Sequence, residues 1–212
     1  MIGTVRRRTQ FLLYAAIQFV LLTTIAMRVY PDGYKLTQNF FSDLGATRSW
    51  YGHPNHVSAV LFTIALGTLG IAFIVFAGAW RDLGPKARAA GILSQVFGTL
   101  SGAAFLAVAS TPVNLALDLH NAFVISAFGL LLGFAASLTV VLWKNAAALR
   151  LRAVSILYVV IVLAYVAVVV YALICGVATM RGREVLVVSQ KAMAYLSMLY
   201  VVLVTLWYPR RA

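Results

Sequence analysis

The stretch VSAVLFTIALGTLGIAFIVFAGAW, which covers Val57–Trp80, decides the fold of this chain. It contains no charged residue, and it is longer than the roughly 20 apolar residues that an α-helix needs to cross the hydrocarbon core of a bilayer. A spanning segment must satisfy its own backbone hydrogen bonds in lipid, and no segment here alternates apolar and polar residues as barrel strands do. The stretch therefore predicts a transmembrane helix.

The composition extends this prediction to the whole chain. Of its 212 residues, 63% are apolar and only 10% are charged, and the mean hydropathy is +0.94. Soluble domains average roughly 45–50% apolar and about 25% charged residues. We therefore exclude an ordinary soluble domain, a disordered chain and a fibrous repeat, which leaves an all-α polytopic membrane protein.

Six stretches have the length and hydropathy of a transmembrane helix. They are Phe11–Val29, Val57–Trp80, Ala90–Ser110, Leu119–Trp143, Ala153–Cys175 and Ala192–Tyr208. We expect them to form a single six-helix transmembrane domain over residues 1–212. Glycines recur four apart at Gly98 and Gly102 and at Gly129 and Gly133, a spacing that favours close helix packing.

The formal charge of +12 arises from 17 basic and five acidic residues. Most basic residues flank the apolar stretches, where they set orientation and contact lipid headgroups, so we expect no nucleic-acid partner. The larger basic set lies at the two termini and in the second and fourth connections. The positive-inside rule places that set in the cytoplasm, so both termini are predicted to be cytoplasmic.

The longest outer connection, Tyr30–His56, carries a second helical pattern. Its apolar residues recur at helical spacing: Leu36, Phe40, Phe41 and Leu44. Gly45 follows as a typical helix stop. We expect a short amphipathic helix in this first outer loop, either lying at the outer interface or tucked into the mouth of the bundle.

Asn39 and Asp43 are four residues apart, so they share one face of this short helix. If the apolar face is buried, Asp43 is partly buried as well and needs a partner, for which Arg48 or a histidine is suitable. The alternative is a solvated interfacial turn, in which Asp43 needs no partner.

All three histidines lie on the predicted outer side. His53 and His56 are three residues apart, so both imidazoles reach one metal ion if the backbone turns helical at Pro54. The candidates for a third ligand are His120, Asp118 and Asp43. Three protein ligands and a water form an open catalytic zinc site. The alternative is that these histidines bind headgroups or loop carbonyls.

A second polar cluster opens the fourth helix at Asp118, His120 and Asn121. His120 is a candidate general base, with Ser42, Ser58 or Ser126 as the nucleophile. The predicted catalytic residues are Asp43, Asp118, His120 and Ser42. The alternative for Asp118 is a structural one, because a carboxylate at this position is suited to cap the helix N-terminus.

Three segments of the first outer loop resemble a known family. They are YPDGY at Tyr30–Tyr34, NFFSDLG at Asn39–Gly45, and the Pro54-Asn55 pair, and they resemble the bacterial membrane family catalogued as domain of unknown function 998. That family is distantly similar to the eukaryotic DRAM-like six-helix proteins, whose first outer loop carries a comparable Ser-Asp-Leu/Ile-Gly element. The resemblance implies six helices and a functional outer loop, but no reaction. We expect a multi-pass location in the cell membrane, which for a bacterial protein is the inner membrane.

Three functions stay open, each with membrane lipid as the expected partner. The first is binding of lipid or another amphiphile as a scaffold, sensor or modulator, through Tyr34, Asn39, Phe40, Arg48 and Asn121. The second is an intramembrane lipid hydrolase or transferase at the outer leaflet, with or without zinc. The third is a transporter or channel, although no acidic residue or histidine lies at mid-span. The pattern decides neither whether the protein is an enzyme nor its oligomeric state.

Overall fold

The computed structural model describes residues 2–80, 85–145, 147, 149–175 and 180–207, and over these residues it contains helices and turns but no strand. The helices are α1 (Ile2–Arg28), α2 (His56–Ala77), α3 (Arg88–Ser110), α4 (Leu117–Lys144), α5 (Leu149–Cys175) and α6 (Met180–Trp207). Each is long and apolar enough to cross a membrane. The predicted class is confirmed: the chain is an all-α, multi-pass membrane protein.

The six helices form a ring in chain order. Each helix packs against the next one, and α6 returns to contact α1. At the end of α2, the rings of Phe73 and Phe134 meet edge to face with centroids 4.9 Å apart, and Phe76 packs against the fully buried Trp80 at 5.4 Å. These aromatic side chains fill one end of the ring.

Helix α6 differs most from the prediction, because it begins at Met180 and not at Ala192. The difference is about three helical turns. The prediction was wrong here because three basic residues lower the local hydropathy, and such a segment is typical of a loop outside the membrane. They are Arg181, Arg183 and Lys191. The predicted end of this helix, Tyr208, lies outside the described residues.

Glycines bring α2, α3 and α4 into close contact. A methyl group on Gly102 would lie 2.8 Å from the carbonyl oxygen of Gly70 and 2.6 Å from Ile74 Cγ1, and one on Gly133 would lie 2.9 Å from the Phe97 ring. Gly129 differs, since a methyl group there meets nothing within 4 Å. The predicted packing role thus fits Gly98, Gly102 and Gly133 but not Gly129.

The first outer loop closes the end of the ring opposite to the aromatic cluster. We call its residues 30–55 the cap. Its helical part is shorter than expected, a single 3-10 turn at Phe41–Gly45. Phe41 and Leu44 are buried in the mouth of the bundle, whereas Leu36 is 60% exposed and takes no part. Of the two predicted positions, the structure therefore has the one inside the bundle mouth.

The contact between α2 and α3 can be tested with two glycine variants. Gly102→Ala is expected to lower the stability by about 1–3 kcal/mol, because its methyl group meets backbone atoms of α2 that cannot rotate away. Gly129→Ala is the control, and it should melt at the same temperature or higher because alanine favours helix. Thermal unfolding in detergent measures both. Wild-type melting of Gly102→Ala would contradict the proposed contact.

The orientation can be tested by cysteine labelling. Leu36 in the cap and Lys86 before α3 are both exposed, and they lie at opposite ends of the bundle. If the basic residues set the orientation, a membrane-impermeant maleimide should label Leu36→Cys in intact cells, in a Cys175→Ala background. It should label Lys86→Cys only after lysis. The reverse pattern would place the termini outside.

Candidate functional site

The 3-10 turn is held at the start of α2 by the side-chain amide of Asn55, the last residue of the cap and the N-cap residue of α2. Asn55 is 1% exposed, and its Nδ2 donates to the backbone carbonyls of Leu44 at 3.2 Å and Ala46 at 2.8 Å. Ser58, in the first turn of α2, donates to the Leu44 carbonyl at 3.0 Å. Because buried carbonyls need hydrogen-bond donors, these two side chains fix the position of the 3-10 turn.

Asp43 lies inside this turn and is only 6% exposed. Its Oδ2 accepts hydrogen bonds from the Phe40 backbone N–H at 2.9 Å and from Asn39 Nδ2 at 3.3 Å. Burial raises the pKa of Asp43, and the hydrogen bonds from Asn39 and Phe40 oppose that rise. Of the two predicted partners, Arg48 is wrong, because it is exposed and donates to the Gly52 carbonyl at 2.9 Å. A histidine does lie near, since the charge of Asp43 acts on His120.

Helix α6 holds the other side of the cap. Oε1 of Gln190 accepts a hydrogen bond from the Phe41 backbone N–H at 2.8 Å. Nζ of Lys191 donates to the Asn39 carbonyl and lies 5.3 Å from the centroid of the Tyr34 ring. Two neighbouring residues of α6 therefore bind two points of the cap.

Lys191 is 6% exposed, and sequence reasoning treated it only as a basic residue of the outer connection. A buried ammonium needs compensating acceptors, which here are the Asn39 carbonyl and the Val187 carbonyl at 3.3 Å, with the charge of Asp43 close by. One signal could have found it. Lys191 stands four residues after Val187 and three before Ala194, which is the spacing of one helix face.

His120 is a buried residue in the first turns of α4, 3% exposed. Its Nδ1 lies 2.6 Å from the backbone carbonyl of Thr111. A carbonyl only accepts hydrogen bonds, so Nδ1 carries the proton, and in the neutral ring Nε2 is left as an acceptor. Among the described residues, Nε2 has no partner. A buried acceptor without a donor is rare and marks a site that a ligand can complete.

An apolar cavity of about 100 Å³ lies inside the ring, under the cap, and we call it the inner cavity. Side chains of all six helices line it. Its polar end is formed by Ser42, His120 and Gln190, and its apolar wall includes Leu12, Phe62, Leu66, Phe105, Val124, Phe128, Phe134 and Val201. Tyr158, Ser197 and Tyr200 also line the cavity, but their hydroxyl groups are hydrogen-bonded between α5 and α6. The inner cavity therefore offers an apolar chain a compartment with a polar end under the cap.

A second cavity of about 200 Å³ lies on the solvent side of the cap, and we call it the outer pocket. Its walls are Tyr30, Asp32, Gly33, Lys35, Thr37, Gln38, Asn39, Trp50, Tyr51, Arg183 and Glu184. This set is polar and carries charges of both signs. No residue lines both cavities, so the 3-10 turn separates an apolar compartment from a polar one.

The structure brings together part of the predicted site. Tyr34, Asn39, Phe40 and Asp43 are neighbours in the cap, where the Tyr34 hydroxyl donates to the Phe40 carbonyl at 2.9 Å. Ser42 and His120 both line the inner cavity. The remaining predicted residues, Arg48, His53, His56, Asp118 and Asn121, line neither cavity.

The histidines lie in different surroundings. His53 is exposed and its Nδ1 lies 2.6 Å from Asp32 Oδ1, His56 is exposed at the start of α2, and His120 is buried. Within the described ranges, no three His, Cys, Asp or Glu side chains are grouped to hold a metal ion. The proposed zinc ligands therefore do not converge there.

Asp118 does not cap α4, contrary to the structural alternative. The N-cap position is occupied by Ala116, which makes no side-chain hydrogen bond to the helix. Asp118 is exposed in the first turn, where its charge still favours the helix dipole. His120 is oriented by the Thr111 carbonyl, the partner of its Nδ1.

The environment of Asp43 predicts a pH dependence. Because its pKa is raised in the folded protein, the folded state holds the Asp43 proton more tightly, and this contribution to stability is lost as the pH rises through the folded pKa. Asp43→Asn keeps an acceptor for the Phe40 N–H but does not titrate. We expect the melting temperature of the wild type, relative to Asp43→Asn, to rise as the pH falls from about 7 to about 4.

This comparison cancels the opposite effect of Asp32, whose pKa is lowered by hydrogen bonds from Ser49 and His53. Asp43→Ala should be less stable than both proteins at every pH, by about 1–3 kcal/mol, because the buried Phe40 N–H loses its acceptor. A difference between wild type and Asp43→Asn that does not change with pH would contradict the assignment.

The comparison with protein families agrees with this architecture. The family model described as "Protein of unknown function (DUF998)" matches residues 13–208, which is nearly the whole chain. No curated protein and no solved structure matches the chain. The family match includes the cap, α2 to α6 and the larger part of α1, and it confirms the resemblance seen in the first outer loop. The chain belongs to the DUF998 family of proteins of unknown function.

Proposed function

We propose that this protein binds a membrane amphiphile in the inner cavity and acts as a lipid-dependent scaffold, sensor or modulator. The observation that carries the proposal is the combination of an apolar cavity lined by all six helices with His120 Nε2, a buried acceptor that has no donor within the described part of the chain. Apolar cavities with a few polar groups at one end are the usual form of small-molecule sites.

The size of the inner cavity limits what it binds. Its volume of about 100 Å³ is somewhat smaller than the roughly 150 Å³ of an apolar protein cavity that binds benzene. It therefore accepts a segment of a few carbons, such as part of an acyl or isoprenoid chain. Each buried methylene contributes about 0.8 kcal/mol when it leaves water, although the gain is smaller for a chain that comes from the bilayer.

The polar end supplies selectivity. His120 Nε2 is an acceptor, so it pairs with a ligand that carries a donor, such as a hydroxyl group. Ser42 and Gln190 line the same end and add further polar groups. A site built to hydrogen-bond a ligand discriminates against analogues without that group, because its own polar atom then stays unpaired. We therefore favour an amphiphile with a hydroxyl group next to its chain.

The location that suits this function is the bacterial inner membrane, with the cap on the outer side. The basic residues at the two termini support this orientation, and many large apolar side chains face outward from the helices, including Ile17, Leu21, Ile64, Leu163 and Leu199. Such a surface fits a lipid environment.

A lipid hydrolase or transferase is a second candidate, and one observation favours it. Ser42 and His120 line the same end of the inner cavity, and an unprotonated Nε2 is the form of histidine that accepts a proton from a serine hydroxyl. In this candidate Ser42 is the nucleophile and His120 the base, while Asp43 positions the turn that carries Ser42. Asp118 is exposed and has no part in it.

The proposal predicts the effect of filling the inner cavity. Val124 of α4 lines the cavity, whereas Val140 of the same helix faces outward and is 44% exposed. Val124→Phe should reduce co-purifying amphiphile by about tenfold or more, which corresponds to about 1.4 kcal/mol, because the added ring occupies the space of the chain. Mass spectrometry of lipids extracted from protein in mild detergent measures the loss.

Val140→Phe is the matched control and should retain the wild-type amount. Equal retention by both variants would show that the bound lipid lies outside the inner cavity and would contradict the proposal. The enzymatic candidate makes a different prediction in the same preparation. A serine-directed fluorophosphonate should then label the wild type at Ser42 but not Ser42→Ala, and the His120→Phe variant should be labelled more slowly.

A further inference from the structure

We infer that the outer pocket binds a small zwitterion, with Arg183, Lys35 and the Tyr30 hydroxyl receiving its anionic group and Asp32 and Glu184 receiving its ammonium group. The outer pocket shares no lining residue with the inner cavity, so this site goes beyond the proposed function and does not depend on it. The same chemistry occurs in ethanolamine phospholipid headgroups and in free amino acids.

The hydroxyl of Tyr30 is the first sign of a ligand in this pocket. Tyr30 is 4% exposed and lines the outer pocket. The backbone N–H of Trp50 approaches its hydroxyl oxygen as a donor, but among the described residues no acceptor receives the hydroxyl proton. Burial raises the pKa of Tyr30 to about 12, so the hydroxyl keeps its proton at neutral pH. Buried donors are seldom left without an acceptor, and an anionic ligand supplies one.

Arg183 provides the positive side of the pocket. Its guanidinium carbon lies 3.9 Å from the centroid of the Trp50 ring, and its Nη2 donates to the Gln38 carbonyl at 3.4 Å. Stacking on an aromatic face holds the guanidinium plane while leaving its edge for hydrogen bonds. One of the five N–H donors is thus used by Gln38, and the charge of Arg183 also acts on the nearby carboxylate of Asp43. The remaining N–H donors suit a carboxylate or a phosphate. Lys35 adds a second positive charge at the wall.

Asp32 and Glu184 provide the negative side. The Asp32 side chain is 9% exposed and pairs with His53 at 2.6 Å, and hydrogen bonds from Ser49 and His53 lower its pKa, so it is ionised at neutral pH. Glu184 is exposed and forms no ion pair within the described part of the chain. An ammonium group placed between these two carboxylates would form an ion pair with each of them.

The balance of charges points to a zwitterion and not to a simple anion. Two basic and two acidic side chains line the same pocket. A simple anion is attracted by the basic side chains and repelled by the acidic ones, and a simple cation meets the reverse. A ligand with both charges avoids either repulsion, and opposite charges placed in this way give specificity. The volume of about 200 Å³ exceeds the roughly 150 Å³ that holds benzene, so a small dipolar group fits.

The test is calorimetric titration of purified full-length protein in a neutral, uncharged detergent. The zwitterionic probes are glycerophosphoethanolamine, which is a lipid headgroup without chains, and glycine. The probes with a single charge are glycerol 3-phosphate and ethylammonium chloride. We expect at least one zwitterion to bind about tenfold more tightly than both single-charge probes, at matched ionic strength.

Two variants connect binding to the pocket. Tyr30→Phe removes only the hydroxyl, and Glu184→Gln removes one charge with almost no change in size, so each should weaken zwitterion binding by about fivefold or more. Arg28→Gln is the control, because Arg28 is a basic residue near the cap that does not line the outer pocket. It should bind as the wild type does. Melting curves establish that each variant is folded.

The outcomes separate clearly. Binding of glycerophosphoethanolamine alone supports the zwitterion and names a lipid headgroup as its source, and binding of glycine alone supports it with a free amino acid. Glycerol 3-phosphate that binds as tightly as the zwitterions would overturn the inference in favour of an anion site. Binding by no probe, or equal binding by wild type and both pocket variants, would also overturn it. None of these outcomes depends on the inner cavity.

Discussion

The structure depends on the side chains that form hydrogen bonds with the peptide groups of one buried turn. The residues Phe41–Gly45 enter the mouth of the helix ring, where their peptide groups leave water. Three side chains supply the missing partners: Asn55 immediately before α2, Ser58 in the first turn of α2 and Gln190 from α6. An unpaired peptide group inside a membrane protein costs several kcal/mol, so these contacts decide where the cap lies. The position of Asp43 and the shape of both cavities follow from it.

The cap separates two environments that match the two sides of a membrane interface. On its inner side, apolar residues of all six helices surround a cavity whose polar end includes His120. On its outer side, aromatic and charged residues surround a polar pocket that includes Tyr30 and Arg183. Among the described residues, His120 Nε2 on the inner side has no donor and the Tyr30 hydroxyl proton on the outer side has no acceptor. Two sites with different chemistry thus lie on either side of a single turn.

The histidines show why spacing along a chain is weak evidence for a site. The three-residue separation of His53 and His56 is suited to a shared ligand, yet His53 pairs with Asp32, which lies far earlier in the sequence. His120 is held by the Thr111 carbonyl and not by the nearby Asp118. Hydrogen bonds are short and directional, so a partner is chosen by the fold, and neighbours in sequence compete with residues from any other element.

The sequence by itself determined the six helices and the family, and it located the helical segment with Phe41, Asp43 and Leu44, whose burial in the bundle mouth only the tertiary structure decided. The hydropathy of a transmembrane segment is the sum over about 20 neighbouring residues, so the sequence predicts the segment without coordinates. Only the tertiary structure decided the early start of α6, the anchoring role of Lys191 and the two cavities. The ammonium group of Lys191 can be buried inside α6 because the Asn39 carbonyl and the charge of Asp43 compensate for the loss of water. Such compensation depends on groups brought together from distant parts of the chain, which no local pattern records.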